Sequence, residues 1–147
     1  MTNDPAREFL CSVREAAFNV SRCRRKIEQL RSECERVTAV MGGAPGGYGD
    51  EHKDGMWAEL ADYCTELSEL YKVSVRHERK VQDFIGTLED PDQRAVLTLR
   101  YVDLLRWPEI FQELSQLGMY YSERQIYRIH GLGLEAARKK WEETHNG

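Results

Sequence analysis

Residues 13–41 read VREAAFNVSRCRRKIEQLRSECERVTAVM, and this stretch decides the fold class. Apolar or small residues recur in alternating steps of three and four, at Val13, Ala16, Val20, Cys23, Ile27, Leu30, Cys34, Val37 and Met41. Many of the positions between them hold arginine, glutamate or lysine. This is the seam spacing of a coiled coil, and it predicts one long helix that buries a narrow stripe.

A second stripe with the same spacing follows, at Met56, Leu60, Tyr63, Leu67, Leu70, Ser74, His77, Val81, Phe84 and Leu88. Between the stripes, residues 42–50 hold five glycines and a proline, a composition that predicts a flexible, non-helical connector over residues 42–55. Each stripe needs a partner surface, so residues 13–41 and 56–88 are expected to pack as an antiparallel pair. The same stripes would also serve to pair two chains.

Two polar residues, Ser74 and His77, interrupt the second stripe. One interpretation is that they fix the register or the oligomeric state at some cost in stability. The interpretation favoured here is that the stripe turns toward solvent at this point and that Val73 takes its place. No second ligand is evident for His77, so a metal site there is not expected.

Helix-start and helix-stop signals follow one another after residue 81. Asp90 is a good N-cap and is followed by Pro91, and a second proline stands at position 108, directly after Trp107. Gly118 is expected to end the helix that starts near Trp107, with an apolar face of Ile110, Phe111, Leu114 and Leu117. Ser122 caps a last helix from Glu123. The predicted order is a short helix, two helices, a turn and a helix, which is typical of a helix-turn-helix.

The segments LEDPDQRAVLTLRY (residues 88–101), WPEI (107–110) and YSERQIYRIH (121–130) resemble region 4 of sigma-70-type factors. More closely, they resemble phage and prophage late-gene regulators of the RinA/ArpU type. The resemblance covers roughly residues 81–140 and implies a helical N-terminal half with a C-terminal region-4-like module that binds double-stranded DNA. The path from Ile110 to Ser122 is longer than is usual in region 4, which affects the expected docking angle of the last helix.

The last helix has two different faces at 100° per residue. Ile126, Ile129, Gly133, Ala136 and Ala137 share one face, which is expected to pack on the preceding helices. The opposite face is expected to meet DNA, because recognition helices reach base edges near their N-terminus and arginine can bond guanine at two points. The predicted DNA-binding residues are Ser122, Glu123, Arg124, Tyr127, Arg128, Gly131, Arg138, Lys139 and Lys140.

The charge distribution agrees with this assignment. Residues 120–140 carry five basic and two acidic side chains, a local balance of +3, whereas the whole chain has a net charge of -4. If one face of the last helix binds DNA, we expect basic residues to be concentrated there even though the whole protein is acidic. The alternative is that these side chains only solvate an exposed helix and complement its dipole. Gly131 is expected to allow close approach of DNA and Gly133 close packing, or else the helix frays or kinks there.

Other classes of protein are not indicated. No nucleophile motif, HExxH pair or acidic metal cluster occurs, so neither catalysis nor a cofactor nor a metal is expected. The four cysteines lack CxxC spacing and are expected to be reduced and partly buried. The chain begins without a signal-peptide pattern and has no apolar run long enough to span a membrane, so a cytoplasmic location is expected.

The sequence therefore predicts an all-α protein with a helical hairpin at residues 1–80 and a helix-turn-helix domain at residues 81–147. We expect a DNA-binding transcriptional regulator of phage or prophage origin, with RNA polymerase as a second candidate partner and homo-oligomers formed through the N-terminal helices. Two alternatives stay open. One is a phage small terminase subunit, which also combines a helix-turn-helix with helical oligomerisation. The other is a module that binds a protein such as RNA polymerase or a repressor instead of DNA.

Overall fold

A computed structural model describes the backbone of residues 4–41 and 47–145, and the side chains of residues 4–40 and 54–145. The described residues form helices and short connections, without a strand. We number the helices α1 (Pro5–Met41), α2 (Gly47–Ile85), α3 (Pro91–Leu97), α4 (Trp107–Gln116) and α5 (Glu123–His145). A π-helical turn, Thr98–Val102, continues α3. None of the helices in the described part has the length and apolar character needed to cross a bilayer.

The connector is shorter than the sequence analysis predicted. Helix α2 already begins at Gly47, so residues 47–55 are helical and the expectation of a non-helical segment there was wrong. Once a helix is nucleated, each further residue adds a hydrogen bond, which offsets a glycine penalty of about 1 kcal/mol per residue. Residues 42–46 lie outside the described part of the chain.

The chain divides into two compact units, a terminal unit of residues 1–15 and 75–147 and a middle unit of residues 16–74. Helices α1 and α2 each contribute to both. In the middle unit they share a core of Cys23, Ile27 and Leu60, with Leu30, Tyr63, Leu67 and Leu70 packed against it. The Cys23 thiol donates a hydrogen bond to the Tyr63 carbonyl at 3.4 Å, and burial raises the pKa of this thiol.

The two apolar stripes are largely buried, as expected. Between Val13 and Val37, the first stripe has only buried or half-buried members. The second stripe was predicted to turn toward solvent at Ser74 and His77, with Val73 taking their place. This prediction was wrong, because Ser74 and His77 are half-buried and Val73 is 39% exposed. A serine or histidine can keep its place in such a stripe when part of the side chain still reaches water.

The terminal unit holds two apolar clusters that share α3. The first contains Leu10, Val13, Val81, Ile85, Leu88, Leu97, Tyr101, Val102 and Ala137, and the second contains Val96, Leu99, Ile110, Leu114 and Ile126. Three aromatic rings extend the first cluster: Phe9 lies 5.5 Å from Phe84 and 5.1 Å from Trp141 between ring centroids. The start of α1 thus packs with the C-terminal helices.

Helices α1 and α2 contact each other within each of the two units. Phe9 meets Phe84 in the terminal unit, and Cys23 meets Tyr63 in the middle unit. The expected separate short helix around residue 81 is not formed. Residues 81–85 are instead the last residues of α2, and Leu88 follows in the connection to α3.

Candidate nucleic-acid interface

Helix α3 begins where the sequence analysis placed it. The Asp90 carboxylate accepts hydrogen bonds from the backbone N–H groups of Asp92, at 2.8 Å, and Gln93, at 3.2 Å. Pro91 occupies the first helical position, where a missing N–H costs nothing. This end of α3 also contacts the segment that precedes α5, because the Tyr121 hydroxyl donates a hydrogen bond to the Asp92 carboxylate at 2.7 Å. That hydrogen bond raises the pKa of Tyr121.

The turn between α4 and α5 consists of six residues, 117–122. Gly118 has a φ of 85° and closes α4 in a Schellman arrangement. In it, the Met119 N–H donates to the Leu114 carbonyl at 2.8 Å, and the Gly118 N–H donates to the Ser115 carbonyl at 3.1 Å. Leu117, expected on the apolar face of α4, lies just after its end and is 62% exposed, so that assignment was wrong.

A reciprocal capping box fixes the first residue of α5. The Gln125 N–H donates to the Ser122 hydroxyl at 3.2 Å, and the Gln125 side-chain oxygen accepts from the Ser122 N–H at 2.8 Å. Two otherwise unpaired backbone donors are thereby satisfied. The helix therefore starts at Glu123, as predicted from Ser122.

The inward face of α5 is the predicted one. Ile126, Gly133 and Ala137 are buried, and Ile129 and Ala136 are half-buried. Ile126 belongs to the second apolar cluster, whose other members come from α3, its π-helical turn and α4. Helix α5 is continuous through Gly131 and Gly133, so neither glycine breaks it.

The outward face of α5 is exposed along its length. It carries Glu123, Arg124, Tyr127, Arg128, Gly131 and Arg138, all exposed. The described part of the chain contains four ion pairs within 4.0 Å, and none of them involves Arg124 or Arg128. Both guanidinium groups are therefore available to a ligand.

Four predicted residues have surroundings that the sequence did not indicate. Tyr127 is 47% exposed, but its ring lies 4.8 Å from that of Trp107 and 5.6 Å from that of Phe111. Lys139 lies 4.0 Å from Glu135 on the next turn, and Lys140 is half-buried. Gly131 has open space around it, since a Cβ placed there would meet nothing within 4 Å.

The terminal unit also contains a basic pocket that the sequence did not indicate. Arg7 and Arg14 of α1 and Arg100 and Arg106 near the start of α4 line one cavity together with His130 of α5. The arginines of α1 are far from the other pocket residues along the chain, since 86 positions separate Arg14 from Arg100, so no local spacing could have brought the two groups together. The only local signal is the basic pair Arg100 and Arg106 immediately before α4.

Comparison with known families identifies the chain. Residues 30–130 match the family described as protein of unknown function, DUF1492. The chain belongs to the DUF1492 family. The matched region includes α3, α4 and the first turns of α5, with Ser122, Arg124 and Arg128. No curated protein and no solved structure matches this DUF1492 chain.

Proposed function

We propose that this DUF1492 protein is a sequence-specific DNA-binding transcriptional regulator that reads the major groove with α5. The observation that carries the proposal is the two-sided character of this helix. Ile126 and Gly133 bury one side in the terminal unit, while Arg124 and Arg128 project from the other side without an ion-pair partner in the described part of the chain.

The local geometry supports a recognition helix. Arg124 and Arg128 are one turn apart and lie in the first two turns after the Ser122 cap, where recognition helices contact base edges. Arginine donates two parallel hydrogen bonds to guanine O6 and N7, which distinguishes guanine from the other bases. Gly131 offers a side-chain-free position on the same face.

Basic residues further along α5 supply the sequence-independent part of binding. Arg138 and Lys139 are exposed and would hold backbone phosphates, releasing condensed counterions from the DNA. Lys140 is half-buried, and Lys139 has Glu135 within 4.0 Å, so we assign these two lysines a smaller share than Arg138. Glu123 is expected to lie at the edge of the interface, where a carboxylate accepts from cytosine N4 or repels a nearby phosphate.

The regulatory part of the proposal rests on the resemblance to phage late-gene regulators. RNA polymerase is the second partner that this resemblance implies, and the two apolar stripes are the proposed means of forming homo-oligomers. A small terminase subunit would share the DNA-binding helix, but these subunits assemble as large rings. The mass of the protein in solution therefore separates the two functions.

The experiment that tests the proposal is selection of bound duplexes from a random DNA pool, with the protein's solution mass measured in parallel. We expect enrichment of a site containing guanine and a mass of a monomer or a small oligomer. The matched control is the double variant R124A/R128A, which should enrich no shared site. If the wild-type protein retains no DNA even at low salt, the protein-binding alternative replaces this proposal.

A further inference from the structure

The basic pocket of the terminal unit has a volume of about 290 Å³. Its arginines are Arg7, Arg14, Arg100 and Arg106, and the remaining wall includes Tyr101, Trp107 and His130. Residues from α1, the π-helical turn, the start of α4 and the first turns of α5 thus meet at one cavity. Four guanidinium groups around a cavity of this size create a strongly positive site.

Most of this charge is not neutralised by the protein. Arg106 pairs with Glu109 at 2.9 Å between Nε and Oε1. Among the side chains that the structure describes, no carboxylate oxygen lies within 4.0 Å of a guanidinium nitrogen of Arg7, Arg14 or Arg100. Bringing like charges together costs free energy that an anionic ligand would recover.

Arg100 is held in place before any ligand arrives. Its Nη1 donates to the Leu105 carbonyl at 3.2 Å, and its guanidinium lies 4.9 Å from the centroid of the Trp107 ring. A backbone acceptor and an aromatic face leave the other N–H groups of the guanidinium for the cavity. A guanidinium group that is already held in place can donate two parallel hydrogen bonds to two oxygens of a phosphate.

The pocket wall also contains a neutral hydrogen-bonded pair, Tyr101 and His130. Tyr101 is buried, and its hydroxyl shares a hydrogen bond of 2.9 Å with Nε2 of His130. Burial first, and then the charges of Arg100 and Arg7, lower the pKa of His130 to about 4. The imidazole is therefore uncharged near neutral pH, and its titration reports on the positive field of the pocket.

Acidic side chains face a different hollow. Asp4, Glu8 and Glu15 line a neighbouring depression together with Arg7 and Cys11, which line both. None of these three carboxylates lines the basic pocket. Arg14 thus lines only the basic pocket, whereas Arg7 lies between the two hollows.

We propose that this pocket of the terminal unit binds a phosphate group. A phosphate offers up to four acceptor oxygens and one or two negative charges, which three unpaired arginines can match. The same chemistry is present in a phosphate of the DNA backbone and in a small phosphorylated ligand such as a mononucleotide. The proposal does not depend on the function proposed above, because inorganic phosphate itself is the probe.

The test is a titration of the full-length protein with inorganic phosphate, followed by NMR of the His130 ring, with chloride at equal ionic strength as the reference. Phosphate is expected to raise the pKa of His130, because it offsets the charges of Arg100 and Arg7. In R7Q and R14Q the dissociation constant should rise about tenfold, the usual effect of losing one charge-assisted hydrogen bond. The matched control is R79Q, which removes an exposed arginine of the same unit outside the pocket and should bind phosphate as wild type does.

Two further titrations identify the source of the phosphate. If R7Q and R14Q weaken binding of random duplex DNA and phosphate competes with that DNA, the pocket holds a backbone phosphate. If they weaken binding of adenosine monophosphate and leave DNA affinity unchanged, it holds a small ligand. The proposal is overturned if phosphate affects His130 no more than chloride does, or if R7Q and R14Q respond to phosphate as R79Q does.

Discussion

A Cβ atom placed on Gly133 of α5 would lie 3.2 Å from Cδ1 of Leu97 in α3. Leu97 is fully buried, so it has little freedom to move away. We therefore expect G133A to destabilise the protein by about 1 kcal/mol. Overpacking of a buried site costs about 1–3 kcal/mol, which is more than the free energy gained when alanine replaces glycine in a helix. Urea unfolding of the variant measures this difference.

The second glycine of α5 gives the opposite prediction. A Cβ on Gly131 meets nothing within 4 Å, so G131A is expected to stabilise the protein by about 0.5–1 kcal/mol through helix propensity alone. The two variants make the same chemical change two positions apart in one helix. Equal effects of G131A and G133A on the free energy of unfolding would contradict the packing of α5 on α3.

Ile126 and Ile129 occupy the same face of α5 but differ in burial. Ile126 is 1% exposed within the second apolar cluster, whereas Ile129 is only half-buried against it. We expect I126A to cost about 2–5 kcal/mol of unfolding free energy and I129A about half as much. Chemical denaturation of both variants checks the order, and a larger loss in I129A would mean that the helix is rotated from the described orientation.

The stability of the terminal unit should depend on His130 in acid. The pKa of His130 is about 4 in the folded chain and 6.5 ordinarily, so between these values the unfolded chain binds the proton more readily. The free energy of unfolding should therefore fall as pH decreases from about 6.5 to about 4. We expect protonation of His130 to lower the free energy of unfolding by about 1–2 kcal/mol. This is less than the pKa shift of His130 would give in full, because the ring is partly solvated.

The matched control for this prediction is H130Q, which keeps a polar side chain but cannot titrate. Carboxylates also titrate in this range, so the quantity to compare is the difference between wild type and H130Q at each pH. The prediction fails if the two proteins lose the same free energy of unfolding between pH 6.5 and 4. Direct NMR titration of the His130 ring gives the pKa independently.

Local features of the fold could be predicted from the sequence because they depend on neighbours along the chain. The three-four spacing of Val13 to Val37 identified a buried stripe, and Ser122 and Gly118 identified the ends of two helices. Capping, and which residues share one face of a helix, are decided within a turn or two of helix. For the same reason the two faces of α5 were assigned from periodicity alone.

The features that the sequence did not predict depend on contacts between distant segments. The π-helical turn at residues 98–102 ends in a backbone hydrogen bond from Asp103 to the Thr98 carbonyl, and Leu104 follows with a φ of 58°. No periodicity encodes such a turn. Likewise, the arginines of the basic pocket come from α1, from the π-helical turn and from the residue before α4. Only the tertiary packing of α1 on the C-terminal helices unites them.

Arg124 and Arg128 are proposed to read DNA. The most direct test is to titrate R124A and R128A with two DNAs, the duplex selected from the random pool and a random duplex. Each titration is repeated at several salt concentrations. R25A, which removes an exposed arginine of the middle unit, is the control. We expect at least one of the two α5 variants to lose about 1–3 kcal/mol on the selected duplex and to discriminate less between the two DNAs, while R25A binds as wild type does. Wild-type affinity of both R124A and R128A for the selected duplex would contradict the assignment of α5 as the recognition helix.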